Sequence, residues 1–145
     1  MAFVSVTRLR LRSLRHLPAF AIGTLASSWE AARAAGFRAG YVATQGPRCF
    51  WTVTLWDDVE AMRRWRASGA HARAMPRLAG WCDEAALAHW EAGDDALPEP
   101  GTARARLAAE GRLSRVRHPS PAHAAGRLDS SEVPLRPGPR IRARR

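Results

Sequence analysis

The sequence predicts an α+β domain with its elements in the order β-α-β-β-α-β, followed by a basic tail that has little to bury. Three observations lead there. Residues 4–11 and 49–56 follow the two-residue alternation of strands, and residues 17–35 between them shift to the three- and four-residue spacing of a helix. After Gly93 the composition shifts to a linker with Pro98, Pro100 and Gly101 and a short helix over 102–110, and beyond His118 it is rich in proline, serine, glycine and arginine.

At 145 residues and 46% hydrophobic content the chain has room for one core, so a single domain is expected. The net charge of +10 is unevenly placed. Residues 1–100 hold 12 Arg against 10 Asp and Glu, whereas residues 101–145 hold 11 against 3, so the basicity belongs to the tail. All 23 basic residues are arginine, and with no lysine a Schiff-base mechanism is excluded. The start carries no charged segment leading into an apolar run, and no stretch nears the ~20 apolar residues of a membrane span, so a cytoplasmic protein is expected. Cys49 and Cys82 stand outside any CxxC pattern and read as reduced structural thiols.

In the first strand Val4, Val6 and Arg8 take one side, and Phe3, Ser5, Thr7, Leu9 and Leu11 the other. The first helix, with Pro18 acceptable in its first turn, carries Leu17, Phe20, Ala21, Leu25, Trp29 and Ala32 as its apolar stripe and ends at Gly36. Residues 37–44 and 49–56 form a hairpin about the turn-forming Gln45-Gly46-Pro47. Asp57 or Asp58 caps a helix running to Ser68, with Val59, Met62 and Trp65 or Arg66 on one side, and Gly69 breaks it. A further helical stretch over 71–78 is interrupted at Pro76, and residues 85–91 close the domain as a strand, with helix the competing reading because alanine is a poor strand former.

This order is the ferredoxin-like split βαβ arrangement, in which helices cover one face of the sheet and the other face is left apolar. A second copy is the simplest cover, so a homodimer closing a dimeric α/β barrel is expected. The expected divisions are residues 1–93 as the domain, 94–125 as linker, short helix and packing segment, and 126–145 as a disordered Arg/Pro-rich tail.

The run from Phe50 to His71, Phe-Trp-Thr-Val-Thr-Leu-Trp-Asp-Asp-Val-Glu-Ala-Met-Arg-Arg-Trp-Arg-Ala-Ser-Gly-Ala-His, resembles the antibiotic biosynthesis monooxygenase superfamily. There, too, a strand ending in Trp passes through an acidic cap into a helix that ends near a His. The resemblance covers roughly residues 3–92. The segment from His71 to Glu84 is similar to bacterial members of uncharacterised function, and spheroidene monooxygenase-like proteins share the layout more distantly. It implies a monooxygenase-like oxidoreductase acting on a small organic molecule, either cofactor-free or haem-dependent. A non-catalytic ligand-binding or interaction domain is the alternative. The Asn that active members carry on the first strand is missing here, and Trp65 and His71 stand six residues apart.

His71 is the candidate catalytic residue, as a general base or a neutral imidazole ligand for haem iron, against a structural role at a helix end. Trp56, Met62 and Trp65 are candidate walls for a planar or isoprenoid substrate, against simple core packing. Arg73, four residues before Arg77, is a candidate carboxylate or propionate contact, and the alternation of Leu87, His89 and Glu91 aims His89 toward the same cavity. No HExxH, paired CxxC or acidic cluster supplies a metal site, and no Gly-rich fingerprint implies a nucleotide cofactor. His118 and His123 carry no assigned role. The tail lacks the interleaved aromatics of single-strand binders, which argues against a nucleic-acid partner.

Overall fold

The computed structural model describes residues 2–129 and 131–144; Met1, Ser130 and Arg145, which fall within the expected divisions, lie outside the described residues. Four long strands make the body of the sheet: β1 (Ala2–Leu11), β2 (Phe37–Gln45), β3 (Cys49–Trp56) and β4 (Cys82–Ala92). They lie in the order β4-β1-β3-β2, every pair antiparallel. Three helices pack on one face: α1 (Leu17–Arg33), α2 (Val59–Arg66) and α3 (Gly69–Trp81). The split βαβ fold is therefore as expected, and the final strand settles as β because β1 pairs with it along its length, tertiary pairing overriding alanine's preference.

Local chemistry sets the helix ends. The Asp58 side chain accepts from the Ala61 N–H at 2.8 Å and so caps α2. At the junction with α3, Gly69 has φ +59°, a left-handed conformation that glycine adopts without penalty. A Cβ there would run into Glu30, whose carboxylate accepts from the Ala70 N–H at 2.8 Å and sits at the positive end of α3. Pro76 does not interrupt α3, which continues to Trp81 and carries the proline at an exposed position.

Helix α1 departs from expectation in its rotation. Leu25 and Trp29, assigned to the core stripe, are 71% and 59% exposed, and Ile22 beside them is 70% exposed. The small residues Gly23, Ser27 and Ala31 face the sheet instead. The cause is below the helix, where α1 spans a cavity rather than a filled core.

The second face of the sheet also differs from expectation. Val4, Val6, Trp51, Val53, Leu55, Ala86 and Ala88 are buried within a single chain. Their cover is the chain's own continuation: α4 (Pro100–Glu110) contributes Ala103 and Leu107, and Leu97, Leu128 and Leu135 pack around them. The apolar area that seemed to require a partner is satisfied internally.

Polar groups fasten this cover. Glu84, fully buried, receives Arg8 Nη1 at 2.8 Å, the Ser120 hydroxyl at 2.6 Å and the Asp129 N–H at 3.0 Å. Arg10 donates to both Asp83 and Asp129, Tyr41 donates its hydroxyl to the Pro98 carbonyl at 2.7 Å, and the Gln45 amide donates to the Val133 carbonyl at 3.0 Å. Short pieces complete the segment: β5 (Arg112–Leu113) on the β4 edge, and the one-turn helix α5 (Pro121–Ala124) capped by Ser120.

Residues 127–129 and 131–144, expected as a disordered tail, are mostly irregular and exposed, yet Leu128, Asp129, Val133 and Leu135 pack or hydrogen-bond against the domain. Two dipeptides are exceptions. β6 (Arg136–Pro137) and β7 (Ile141–Arg142) pair with the outer edge of β2, and Gly138 N–H donates to the Val42 carbonyl at 2.8 Å. Proline is compatible with this site because an edge segment needs only some of its backbone donors.

Candidate functional site

A cavity of about 220 Å³ lies between the helix-covered face of the sheet and α1, α2 and α3. Its floor follows from the strand register. Ser5 is paired with Thr54 on one side and His89 on the other, and Thr7 with Thr52 and Leu87, which sets hydroxyls across the middle of the sheet. Aromatics stand at both ends: Phe37, backed by Phe3 and Trp56, at one, and Phe20, its ring centroid 4.9 Å from that of Phe50, at the other. Short side chains below and the small residues of α1 above leave space that a well-packed core would not contain.

The wall from α2 and α3 carries Met62, Trp65, Arg66 and His71. Trp65 lies against Trp56 at 5.4 Å and against the His71 ring at 4.4 Å, and its indole N–H points to the Ser27 carbonyl at 3.3 Å. His71 Nδ1 lies 3.3 Å from the Arg66 carbonyl. A carbonyl only accepts, so the neutral ring carries its proton on Nδ1 and keeps its lone pair on Nε2. Burial, with a smaller contribution from the Arg66 charge, pushes the His71 pKa below the ordinary histidine value despite the opposing carbonyl contact. His89, edge-on to Phe3 at 5.4 Å, is lowered by burial and then by Arg66, Arg112 and Arg63. Both rings are thus held neutral near pH 7, the state in which imidazole can take a proton.

Of the residues singled out in the sequence, His71, Met62, Trp65 and His89 line this one cavity. Trp56 does not: it is fully buried behind Trp65, and its indole N–H has no hydrogen-bond partner among the described residues. Arg73 is exposed on α3 and faces away, because a step of four residues from Arg77 places both on the solvent side of that helix. Arg66 lines the cavity instead. The sequence signal for it was the α2 stripe, which left Trp65 and Arg66 as alternatives; α2 ends there, and both reach the cavity. The hydroxyl floor was also legible in the alternation of Ser5 with Thr7 and Thr52 with Thr54, but strand polarity alone does not distinguish a cavity from solvent.

Among the described residues no three His, Cys, Asp or Glu side chains converge as a metal site. The cavity volume of about 220 Å³ lies below the ~300–1,000 Å³ typical of sites for drug-sized ligands, which favours a ligand smaller than haem. No helix among the described residues is long and apolar enough to cross a membrane.

The sequence model of the antibiotic biosynthesis monooxygenase family matches residues 27–77, the stretch from mid-α1 through α2 and most of α3 that carries Trp65, Arg66 and His71. No curated protein sequence matches the chain significantly. Several solved structures share its fold. A conserved protein of Methanosarcina mazei superposes with a TM-score of 0.56 at 16% identity, covering 63% of this chain and 92% of its own. A Nitrosomonas europaea protein provisionally assigned as an antibiotic biosynthesis monooxygenase gives 0.58 at 12%, covering 63% and 90%. A variant of SnoaB, a cofactor-independent oxygenase of Streptomyces nogalater, gives 0.50 at 20%, covering 68% and 98%. At such identities the structural likeness is one of fold. The chain thus shares the fold of these structures, and over residues 27–77, across the cavity wall, it is similar to the antibiotic biosynthesis monooxygenase family.

Proposed function

We propose that the cavity binds a small, mostly apolar organic molecule and that the chain oxidises it as a monooxygenase-like oxidoreductase. The observation that carries this reading is the state of His71: a neutral imidazole with its Nδ1 proton tied to the Arg66 carbonyl, set against Trp65 in an apolar cavity. In this reading Trp65 and Met62 flank the substrate, and Nε2 of His71 takes a proton from an activated C–H. Ser5, Thr54 and His89 orient polar groups of the substrate from the floor. With molecular oxygen as co-substrate, oxidation of a CH₂ group to a carbonyl releases one water and draws all its electrons from the substrate. No nucleotide reductant is then required, in line with the missing Gly-rich fingerprint.

The same reading treats one chain as a complete site, because the face expected to meet a second copy is covered by α4. A cytoplasmic location goes with it, since Cys49 and Cys82 are both unpaired thiols. The test is oxygen uptake by the purified chain offered electron-rich phenols and hydroquinones, repeated with His71→Ala. Uptake that requires His71 supports oxidation. Binding of the same compounds, seen as Trp fluorescence quenching, without uptake by any of them would leave a ligand-binding domain in place of an enzyme.

A further inference from the structure

The cavity is electrostatically one-sided. Two arginines, Arg66 and Arg115, and two histidines, His71 and His89, line it, and no Asp or Glu does. Elsewhere the buried and half-buried arginines have a partner: Arg8 pairs with Glu84, Arg10 with Asp83 and Asp129, Arg48 with Asp83 and Arg106 with Glu110, while Arg12 and Arg104 donate to the Gly80 and Val133 carbonyls. Arg66 is half-buried, yet among the described residues no carboxylate lies within ion-pair distance of it. A partly enclosed guanidinium without a counter-ion is costly unless something else supplies the negative charge.

Its position suggests what does. Arg66 is the last residue of α2, where Arg63 and Arg64 already complement the negative end of the helix dipole, so that role does not require it. Its carbonyl anchors His71, both residues line the cavity, and its charge is felt by both His71 and His89. The Ser and Thr hydroxyls of the floor and of α1 add neutral donors, which bind anions without a competing charge.

We propose that the ligand of this cavity is a planar organic anion, a carboxylate or phenolate on an aromatic body, with Arg66 as the residue that receives the charged end. Trp65, Met62 and Phe20 then take the apolar body. This rests on the reading of the cavity as the ligand site, and it adds the substrate class.

The probes are 2-naphthoate and its neutral isostere 2-naphthamide, titrated into the full chain and followed by Trp fluorescence and calorimetry. The expected result is binding of the naphthoate at least about tenfold tighter than the amide, as a charge-assisted contact gives. In Arg66→Gln that preference falls to about twofold or less while amide affinity is retained. Arg77→Gln, which removes an exposed cation of α3 outside the cavity, keeps the preference and so separates a local contact from general attraction by a basic protein. Equal affinity for both probes in the parent, or equal loss of both in Arg66→Gln with an unchanged circular dichroism spectrum, overturns the anion assignment and leaves the ligand cavity standing. Binding of neither probe overturns the cavity reading and this proposal together. Competition by chloride or inorganic phosphate as strong as by naphthoate would show a bare anion site and would also overturn it.

Discussion

Replacing Glu84 by glutamine tests how the C-terminal cover is held. Glu84 is fully buried, accepts from Arg8, the Ser120 hydroxyl and the Asp129 N–H, and forms an ion pair with Arg10 at 3.4 Å. A glutamine amide in its place would have one acceptor oxygen for these donors, and Arg8, only 4% exposed, would lose its one carboxylate contact. At an effective dielectric of about 20 the 2.8 Å contact corresponds to roughly 6 kcal/mol of gross attraction. Part of that is offset by the desolvation both charges already carry, and breaking one side of a buried pair costs a net ~3–5 kcal/mol. With a urea dependence of ~1–3 kcal/mol per molar, the unfolding midpoint followed by Trp fluorescence should fall by roughly 1–5 M. Limited proteolysis between α4 and β6 should accelerate in parallel, because Ser120 and Asp129 are released from the sheet. The double substitution Arg8→Met with Glu84→Met should recover most of the loss, since no uncompensated charge remains. A midpoint moved by less than about 0.3 M would refute the claim that this cluster fastens the cover.

Leu107→Ala, at a side chain 5% exposed on α4, should cost about 2–5 kcal/mol in urea unfolding; a change within about 0.5 kcal/mol would mean that α4 is not a packed part of the core. Stability should also fall on acidification. The folded pKa values of His71 and His89 lie below the ordinary 6.5, so below that pH the unfolded chain binds more protons than the folded one and stability present above it is lost. The urea midpoint should drop between about pH 7 and pH 5, and the slope should flatten in His71→Gln and His89→Gln; equal slopes in all three proteins would refute the assignment. Sedimentation at micromolar concentration should give the 15.9 kDa of one chain. A stable two-chain mass in which Val4 and Val53 become further protected from hydrogen exchange would contradict the internal cover.

The sheet was readable because its signals are local: two-residue alternation, the Gln45-Gly46-Pro47 turn and the Asp58 cap all act within a few residues. What covers each face depends on long-range pairing. Glu84 and Ser120 are 36 residues apart, and neither announces the other in the sequence. Helix α1 shows the same limit: Leu25 and Trp29 have the spacing of a core stripe, but the rotation of the helix is decided by the space beneath it. At the site, His71, Met62, Trp65 and His89 were legible from residue type near a helix break or on a strand face. Arg66 was not singled out, because an arginine at a helix end ordinarily answers the dipole.

The cover on the second sheet face has a consequence for how activity scales with protein concentration. A face closed by a partner opens on dilution, with an occupancy set by a dissociation constant. A face closed by α4 and the segment reaching Leu135 meets its cover at the effective concentration of a tethered ligand, whatever the number of molecules present. Ligand binding per mole of this chain should therefore be the same at nanomolar and at micromolar protein, and the state of the cavity becomes a property of a single folded molecule.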